Sequence, residues 1–229
     1  MCGRYSLFVP QDTVEQRFGA TFVGEYEPRY NAAPSQELPV VLDEAPGEIH
    51  TARWGLIPEW GEEGDGLINA RAETAAEKPA FRDAYESRRC LVPADGFYEW
   101  AEREGGKQPY RFTMADEEPF AMAGLWERYT PETTQTGLGE FASGGPSTAE
   151  PVTTFTILTR EPNDLLAEYH HRMSVILGPE EERAWLEGAP VEEVTPTPAE
   201  ALRAYPVSTA VNSPANDSPA VVEEVEPAG

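Results

Sequence analysis

Short runs of β-branched and aromatic residues recur along the chain, with no regular alternation of strands and helices between them. This pattern predicts strands over residues 2–9, 38–42, 51–57, 90–93, 96–101, 110–114, 120–126 and 153–159. The runs at 110–114 and 120–126 are predicted to be neighbours in one antiparallel sheet. Apolar spacing predicts helices over residues 11–18, 74–85, 162–169 and 180–187, with Pro79 near a bend or a new start in the second. An α+β or mainly-β fold is therefore expected.

The size of the chain suits one domain or two small ones. Its 229 residues, of which 40% are hydrophobic, are enough to bury a substantial core. We predict a single domain over residues 2–222, followed by an acidic C-terminal tail over residues 223–229. Residues 130–151 are rich in Thr, Gly, Pro, Ser and Glu, so a long acidic surface loop is expected there.

Acidic residues dominate the charge of the protein. The 41 Asp and Glu residues against 17 Lys and Arg residues give a formal net charge of −24, and Lys78 and Lys107 are the only lysines. An acidic, lysine-poor surface is typical of proteins kept soluble at very high salt, so a halophilic source is inferred. The net charge does not exclude a nucleic-acid partner, because a basic cleft can lie on an acidic body.

The two cysteines, Cys2 and Cys90, do not make a disulfide framework, and a reducing intracellular setting is the default. The N-terminus lacks a basic region followed by an apolar stretch, and no apolar run reaches the length of about 18 residues that a membrane span needs. A cytoplasmic protein is therefore predicted.

The three histidines do not have the spacing of a metal site. His50 lies in a polar region, and no CxxC or HxxxH pattern joins His170 or His171 to another ligand. We predict no metal and no cofactor. On a strand, the adjacent His170 and His171 would face opposite ways, so at most one of them would face a given site.

Cys2 is the residue with the most distinctive chemistry. If Met1 is removed, Cys2 carries a free α-amine beside its thiol, with typical pKa values of about 7.7–8.0 for the amine and about 8.5 for the thiol. The amine can condense with an aldehyde, and the thiol can then close a five-membered thiazolidine ring. The plain alternative is that Cys2 is only an early residue of an N-terminal strand.

Several polar residues lie in segments that otherwise look buried. Glu99 is flanked by aromatic residues, and in apolar surroundings its pKa would rise to a value suited to a general acid or base. An ion pair with an arginine is the structural alternative. Arg4, Arg71 and Arg172 would anchor phosphates if they converge.

Nine motifs in order carry a family resemblance that runs from Cys2 to about Asn212. They are Met1-Cys2-Gly3-Arg4, Pro28-Arg29-Tyr30-Asn31-Ala32-Ala33-Pro34, Trp54-Gly55-Leu56-Ile57-Pro58, Asn69-Ala70-Arg71-Ala72-Glu73-Thr74, Lys78-Pro79-Ala80-Phe81, Arg89-Cys90-Leu91-Val92-Pro93-Ala94, Gly96-Phe97-Tyr98-Glu99-Trp100, Ala123-Gly124-Leu125-Trp126-Glu127 and His170-His171-Arg172-Met173. Each motif alone is weak, but the ordered set closely resembles the SOS response-associated peptidase family.

The resemblance implies one compact α+β domain with a β-rich, barrel-like antiparallel core, peripheral helices and a groove for single-stranded DNA. It implies a sensor and shield of abasic sites that forms a covalent crosslink to DNA. The implied catalytic residues are Cys2, Asn69, Glu99 and His170. The implied DNA-binding residues are Arg4, Arg71, Arg172, Trp54, Trp60 and Trp100.

We expect a monomer that acts on abasic single-stranded DNA, associates with the nucleoid when DNA is damaged, and does not bind membranes. Weak lyase activity at abasic sites and autocatalytic removal of Met1 are expected to accompany crosslinking. Two other functions remain open. Cys2, His170 and Asn69 superficially resemble a thiol peptidase triad that would act in trans. A non-covalent reader of modified DNA would bind without needing Cys2.

Overall fold

The computed structural model of the protein describes residues 3–62, 64, 66–103, 106–131 and 150–227. Cys2 and most of the predicted acidic loop at 130–151 lie outside the described residues. No helix within these ranges is both long and apolar enough to cross a membrane.

The described residues form fourteen strands and five α-helices. The strands are β1 Tyr5–Leu7, β2 Thr21–Phe22, β3 Arg29–Ala32, β4 Glu37–Leu42, β5 Glu48–Trp54, β6 Asn69–Arg71, β7 Arg89–Ala94, β8 Gly96–Arg103, β9 Gly106–Met114, β10 Phe120–Tyr129, β11 Val152–Arg160, β12 Met173–Ser174, β13 Ile176–Leu177 and β14 Leu202–Pro206. The helices are α1 Gln11–Phe18, α2 Ala72–Ala75, α3 Arg82–Ser87, α4 Asp164–Ala167 and α5 Pro179–Leu186.

Five strands of one sheet close into a barrel. β5 pairs with β4, β4 with β7, β7 with β10 and β10 with β11, all antiparallel. β11 then returns to β5 through a parallel pairing that sets Phe155 opposite Trp54. The predicted α+β fold with a barrel-like core is confirmed, and the parallel closure is a feature that strand patterns alone did not indicate.

A second sheet packs against this barrel, with its strands in the order β14-β9-β8-β1-β3. Every pairing in it is antiparallel. The N-terminal strand β1 lies between β3 and β8, so it is paired on both sides and is not an edge strand. This placement fixes where the residues before β1 enter the fold.

Side-chain alternation along the barrel strands builds two core clusters. On β4, Val40 joins one cluster while its neighbour Val41 joins the other, as period-two strand geometry requires. The first cluster also contains Tyr5 and Phe97 of the second sheet, so it joins the two sheets. The second cluster includes Trp185 of α5 and lies under the peripheral helices.

The predicted pairing of residues 110–114 with residues 120–126 is wrong. β9 pairs with β8 and β14, whereas β10 pairs with β7, β11 and β13 in the other sheet. The connection between them contains Glu117 in the left-handed region, with φ of 63°. The chain therefore crosses from one sheet to the other between two strands that are adjacent in sequence.

The helices follow local signals. α1 spans the predicted residues 11–18 and ends at Gly19, whose φ of 60° suits a residue without a side chain. The helix predicted over 74–85 is instead two helices, α2 and α3, because Pro79 lies between them. α4 begins after Asn163, whose side chain accepts a hydrogen bond from the amide of Leu166 at 2.9 Å.

Candidate active site

Glu99 is a buried carboxyl group in the middle of β8. Its residue is only 3% exposed, and it lies between Tyr98 and Trp100. Burial raises the pKa of Glu99 to about 7, because the charged form loses its hydration. Both protonation states are therefore populated near neutral pH, as a group that gives and takes protons requires.

The N-terminal strand leads directly toward Glu99. Tyr5 of β1 is opposite Phe97 of β8, and the amide of Tyr98 donates to the carbonyl of Arg4 at 3.0 Å. Arg4 therefore lies opposite Tyr98, and the next pair in the same antiparallel register sets Gly3 opposite Glu99. Gly3 is the first described residue, and the predicted nucleophile Cys2 lies outside the described residues.

Arg4 and Trp100 are held in place by a segment near the C-terminus. The Arg4 guanidinium lies 5.9 Å from the centre of the Trp100 ring, and its Nη1 donates to Asn31 Oδ1 at 2.7 Å and to the Val211 carbonyl at 2.6 Å. The Trp100 indole donates to Asn212 Oδ1 at 2.7 Å. Both side chains are thus oriented before any ligand binds.

Asn69 begins β6, which runs parallel to β11 and sets Asn69 opposite Ile157. The carbonyl of the preceding residue, Ile68, accepts a hydrogen bond from the indole of Trp54 at 2.9 Å. The Trp54 ring also packs on Tyr5, with a centroid separation of 5.2 Å. A single buried indole therefore links the segment that carries Asn69 to the N-terminal strand.

His170 lies in the short connection between α4 and β12. Its amide donates to the Leu166 carbonyl at 2.9 Å, and its Nδ1 lies 3.0 Å from the amide nitrogen of Arg172. Burial lowers the pKa of His170 below its ordinary value, so the neutral imidazole is favoured at pH 7.

The residue before His170 connects this segment to β8 and β9. The Tyr169 ring packs edge-on against Tyr110, with a centroid separation of 4.7 Å. Tyr110 is the β9 residue opposite Glu99. Tyr110 therefore links the segment that carries His170 to the strand that carries Glu99.

A comparison with known families identifies the family of this chain. The sequence model of the SOS response associated peptidase (SRAP) family matches residues 1–214. The chain belongs to the SRAP family.

Curated SRAP relatives cover nearly the whole chain. The abasic site processing protein YoqW of Bacillus subtilis is 40% identical over 238 residues, covering 97% of this chain and 99% of the relative. The abasic site processing protein YedK of Escherichia coli is 29% identical, covering 98% of this chain and 100% of the relative. The chicken (Gallus gallus) abasic site processing protein HMCES is 33% identical, covering 89% of this chain and 68% of its own length.

Solved structures share the fold of this SRAP protein. A crystal structure from Bacteroides thetaiotaomicron superposes with a TM-score of 0.82 at 27% identity, covering 98% of this chain and 100% of that chain. A second, from Bordetella bronchiseptica, gives a TM-score of 0.75 at 30% identity, covering 90% and 100% of the two chains.

The three tryptophans that were predicted to bind DNA differ in their exposure to solvent. Trp60 is 70% exposed, and Trp100 is partly exposed beside Arg4. Trp54 is 1% exposed and stacks on Phe155 in the core. The prediction that Trp54 lines a DNA groove is therefore wrong, because neither face of its ring is open to a base.

The three predicted arginines also differ. Arg71 is exposed at the end of β6, whereas Arg172 is buried and forms a two-pronged ion pair with Glu73, with both N–O distances at 2.8 Å. Arg4 is tied to the C-terminal segment through Val211. Arg71 is therefore the most exposed of the three, while Arg4 and Arg172 also make hydrogen bonds within the protein.

Sequence reasoning assigned no role to three residues that organise the site of this SRAP protein: Asn31, Glu73 and Asn212. Asn31 and Glu73 lie within the quoted motifs, and Asn212 marks the end of the resemblance. Asn31 is fully buried and donates to the carbonyls of Ser213 and Asn216 at 3.0 Å and 2.8 Å. For Asn31, a polar residue inside a motif was an available signal, whereas Glu73 and Asn212 are exposed and no local pattern distinguishes them.

The histidine pair does not follow strand geometry. His170 and His171 lie outside any strand, and their rings are 4.3 Å apart at 30° rather than facing opposite ways. Across the described ranges, no three His, Cys, Asp or Glu side chains are grouped so as to hold a metal ion.

Proposed function

We propose that this SRAP protein processes abasic sites in single-stranded DNA, forming a covalent thiazolidine crosslink through Cys2 once Met1 has been removed. The names of its relatives support abasic-site processing as the activity. The observation that carries the chemistry is Glu99, a buried carboxyl group with a pKa of about 7 beside the path of the N-terminal strand.

The crosslink forms in two bond-making steps. The ring-opened sugar of an abasic site presents an aldehyde at C1′, and the Cys2 amine adds to it to give a carbinolamine. Loss of water gives a Schiff base, and the Cys2 sulfur then adds to the same carbon to close the thiazolidine. The overall change is the joining of protein and DNA with the release of one water molecule.

Glu99 serves as the proton shuttle of this sequence. Its neutral form donates a proton to the departing hydroxyl of the carbinolamine, and its anionic form accepts a proton from the attacking amine. A carboxyl group with an ordinary pKa would be almost entirely anionic at neutral pH and would be a poor donor. Burial of Glu99 therefore makes both half-steps available at one pH.

His170 and Asn69 assist the reaction in this proposal. The neutral His170 accepts the Arg172 amide hydrogen at Nδ1, which leaves its proton on Nε2 as a donor toward the sugar or a phosphate. The Asn69 amide orients the N-terminus of Cys2. A Schiff base left open would allow β-elimination, so weak strand cleavage accompanies incomplete ring closure.

The DNA backbone contacts are assigned to Arg4, Arg71 and Arg172, and base stacking to Trp60 and Trp100. Trp60 is open to solvent, and Trp100 is fixed by Asn212 with its ring beside Arg4. The protein acts as a monomer in this proposal.

A peptidase activity limited to the protein's own N-terminus is compatible with this proposal. The family description includes the word peptidase, and removal of Met1 is the cleavage that the crosslink requires. Hydrolysis of added peptides would instead indicate a thiol peptidase that acts in trans.

The test is a denaturing gel of the protein mixed with a single-stranded oligonucleotide that carries one abasic site. Wild type and Cys90→Ser are expected to form a denaturant-stable adduct, because Cys90 is fully buried and its thiol pKa is raised by burial. Cys2→Ala is expected to form none. Failure of processed wild type to form the adduct, or its persistence in Cys2→Ala, would overturn the proposal, while non-covalent retention alone would indicate a reader of modified DNA.

A further inference from the structure

Asn31 is a buried polar residue where the N-terminal and C-terminal parts of the chain meet. It lies in β3, and its side-chain nitrogen donates to the carbonyls of Val211, Ser213 and Asn216 at 3.2, 3.0 and 2.8 Å. Its Oδ1 accepts from Arg4 Nη1 at 2.7 Å. Both ends of the amide are therefore used within the protein, and the amide links the C-terminal carbonyls to the Arg4 guanidinium.

Asp217 fixes the backbone from which this amide extends. One oxygen of its carboxylate accepts from the backbone amides of Tyr30 and Asn31 at 2.6 and 3.0 Å, and the other oxygen lies 3.3 Å from Arg29 Nη1. Asp217 belongs to the same C-terminal segment, residues 207–222, as the carbonyls that Asn31 reaches. The segment therefore holds Asn31 through its backbone as well as through its side chain.

The groups that hold Arg4 are electrically neutral. Nη1 donates to Asn31 Oδ1 and to the Val211 carbonyl, the latter at 2.6 Å. In the part of the chain that the structure describes, Arg4 forms no ion pair, and its buried Nε makes no hydrogen bond. An amide and a carbonyl orient a guanidinium without cancelling its charge, so the full charge of Arg4 remains available to an anion.

We propose that Asn31 is a positioning residue for DNA binding, which orients the Arg4 guanidinium toward a backbone phosphate without neutralising it. This inference rests on the proposed function, in which Arg4 contacts the DNA backbone. It gives Asn31 a role that the sequence did not assign. An aspartate at the same position would also hold Arg4, but its charge would compete with the phosphate for the guanidinium.

Two substitutions of Asn31 separate the orientation of Arg4 from its charge. Asn31→Ala removes the acceptor but leaves the charge, so the guanidinium must be ordered when DNA binds. We expect the half-saturating DNA concentration to rise by about 3–10-fold, with the slope of log affinity against log salt unchanged. Asn31→Asp pairs with Arg4 and removes one positive charge from the interface, so the salt slope is expected to fall by about one.

The experiment is a salt titration of binding, followed by fluorescence anisotropy. The single-stranded oligonucleotide carries a tetrahydrofuran in place of the abasic sugar, which has no aldehyde and cannot be crosslinked. The proteins are wild type, Asn31→Ala, Asn31→Asp, Arg4→Gln and the double variant Asn31→Ala with Arg4→Gln. Gln16→Ala, the loss of an exposed side-chain amide on α1, is the control and is expected to bind as the wild type does.

The double variant shows whether Asn31 acts through Arg4. If it does, Asn31→Ala has no further effect once Arg4 is replaced, and the double variant binds as weakly as Arg4→Gln and no more weakly. A residue that touched DNA itself, or that only stabilised the fold, would weaken binding by the same factor in both backgrounds. That additive result, wild-type binding in Asn31→Ala, or a wild-type salt slope in Asn31→Asp would each overturn the proposal.

A second readout needs no DNA and so separates this inference from the proposed function. In ¹⁵N spectra of the arginine side chains, the Arg4 signal is identified by its loss in Arg4→Lys. Wild-type Arg4 is expected to rotate slowly about its Nε–Cζ bond, because two acceptors fix Nη1. Asn31→Ala is expected to speed this rotation by about fivefold, the effect of losing one hydrogen bond.

Fast rotation of Arg4 in the wild type would contradict the positioning role even if a variant at Asn31 did not fold, which melting temperatures report. Slow rotation in a wild-type protein that binds no abasic oligonucleotide would instead refute the proposed function and leave the Asn31–Arg4 contact in place.

Discussion

The amide of Tyr98 donates to the carbonyl of Arg4 at 3.0 Å, and this bond brings the start of the folded chain beside Glu99. Since β1 lies between β3 and β8 in its sheet, the strand that makes this bond is supported on both sides. A catalytic group at the N-terminus would usually suffer from fraying of the chain end. Here the backbone pairing of the N-terminal segment with β8 extends to Arg4, two residues after Cys2.

Glu99→Gln is expected to lower the crosslinking rate by about 100-fold or more, because an amide cannot exchange protons with the reacting groups. The rate of the wild type is expected to depend on a group with a pKa of about 7, and this dependence is lost in Glu99→Gln. Rates measured from pH 5 to 9 check both expectations. Glu102→Gln, an exposed change on the same strand, is the control, and an unchanged pH profile in Glu99→Gln would refute the assignment.

The same raised pKa predicts how stability depends on pH. Glu99 has a higher pKa in the folded protein, about 7 against an ordinary 4.5, so the folded state binds the proton more tightly. Its stabilising effect is complete below pH 4.5 and is lost as the pH rises through 7. Glu99→Gln should therefore be the more stable protein at pH 8, by up to about 3 kcal/mol, and not at pH 4. Denaturant unfolding at the two pH values measures this, and a pH-independent difference would contradict it.

Trp54 and Trp60 are expected to respond oppositely to substitution. Trp54→Ala removes a buried ring and should destabilise the fold by about 3–5 kcal/mol. Trp60→Ala should leave the melting temperature unchanged and weaken binding of single-stranded DNA by about 1–3 kcal/mol if a base stacks there. Val23→Ala, also at an exposed apolar residue, is the control for Trp60. Wild-type DNA affinity in Trp60→Ala would remove Trp60 from the interface.

The buried pair of Arg111 and Asp95 should matter to the fold. The two side chains are 6% and 3% exposed and 2.8 Å apart, and Asp95 also accepts from the amide of Phe8 at the end of β1. Arg111→Met leaves that carboxylate buried without its partner and should cost about 3–5 kcal/mol of stability. Arg111→Met combined with Asp95→Asn should recover part of this loss, and no recovery in unfolding experiments would count against the explanation.

Salt is expected to affect stability and DNA binding in opposite directions. With a net charge of −24, self-repulsion is relieved by screening, so the melting temperature should rise with added KCl. Phosphate contacts weaken steeply with salt, so any adduct formed at multimolar salt must rely on stacking, shape and the covalent bond. Loss of the adduct at high salt with the fold intact would contradict a halophilic adaptation.

Local sequence patterns predicted the positions of most strands and helices, because side-chain alternation and helix ends are set by neighbouring residues. The exact span of α1 and the break at Pro79 are examples. The partners of the strands could not be predicted in this way. β9 and β10 are consecutive, yet they lie in different sheets because pairing depends on contacts between residues far apart in sequence.

In the candidate site, too, local patterns identified some residues, whereas contacts between distant residues could not be predicted. Glu99 was identifiable because a lone carboxylate among aromatic residues implies a raised pKa, and the structure places it in that environment. Trp54 and Trp60 lie six positions apart and look alike in sequence, but Trp54 is buried and Trp60 is exposed. The Glu73–Arg172 pair joins residues 99 positions apart, and no local signal specifies it.

Intact mass spectrometry of the protein with and without an abasic single-stranded oligonucleotide tests the central claim most directly. The account predicts a chain that begins at Cys2 and an adduct equal to that chain plus the DNA less one water molecule. Fragmentation should place the added mass on the N-terminal residue. An adduct on a chain that retains Met1, or an added mass located at any other residue, would contradict the account.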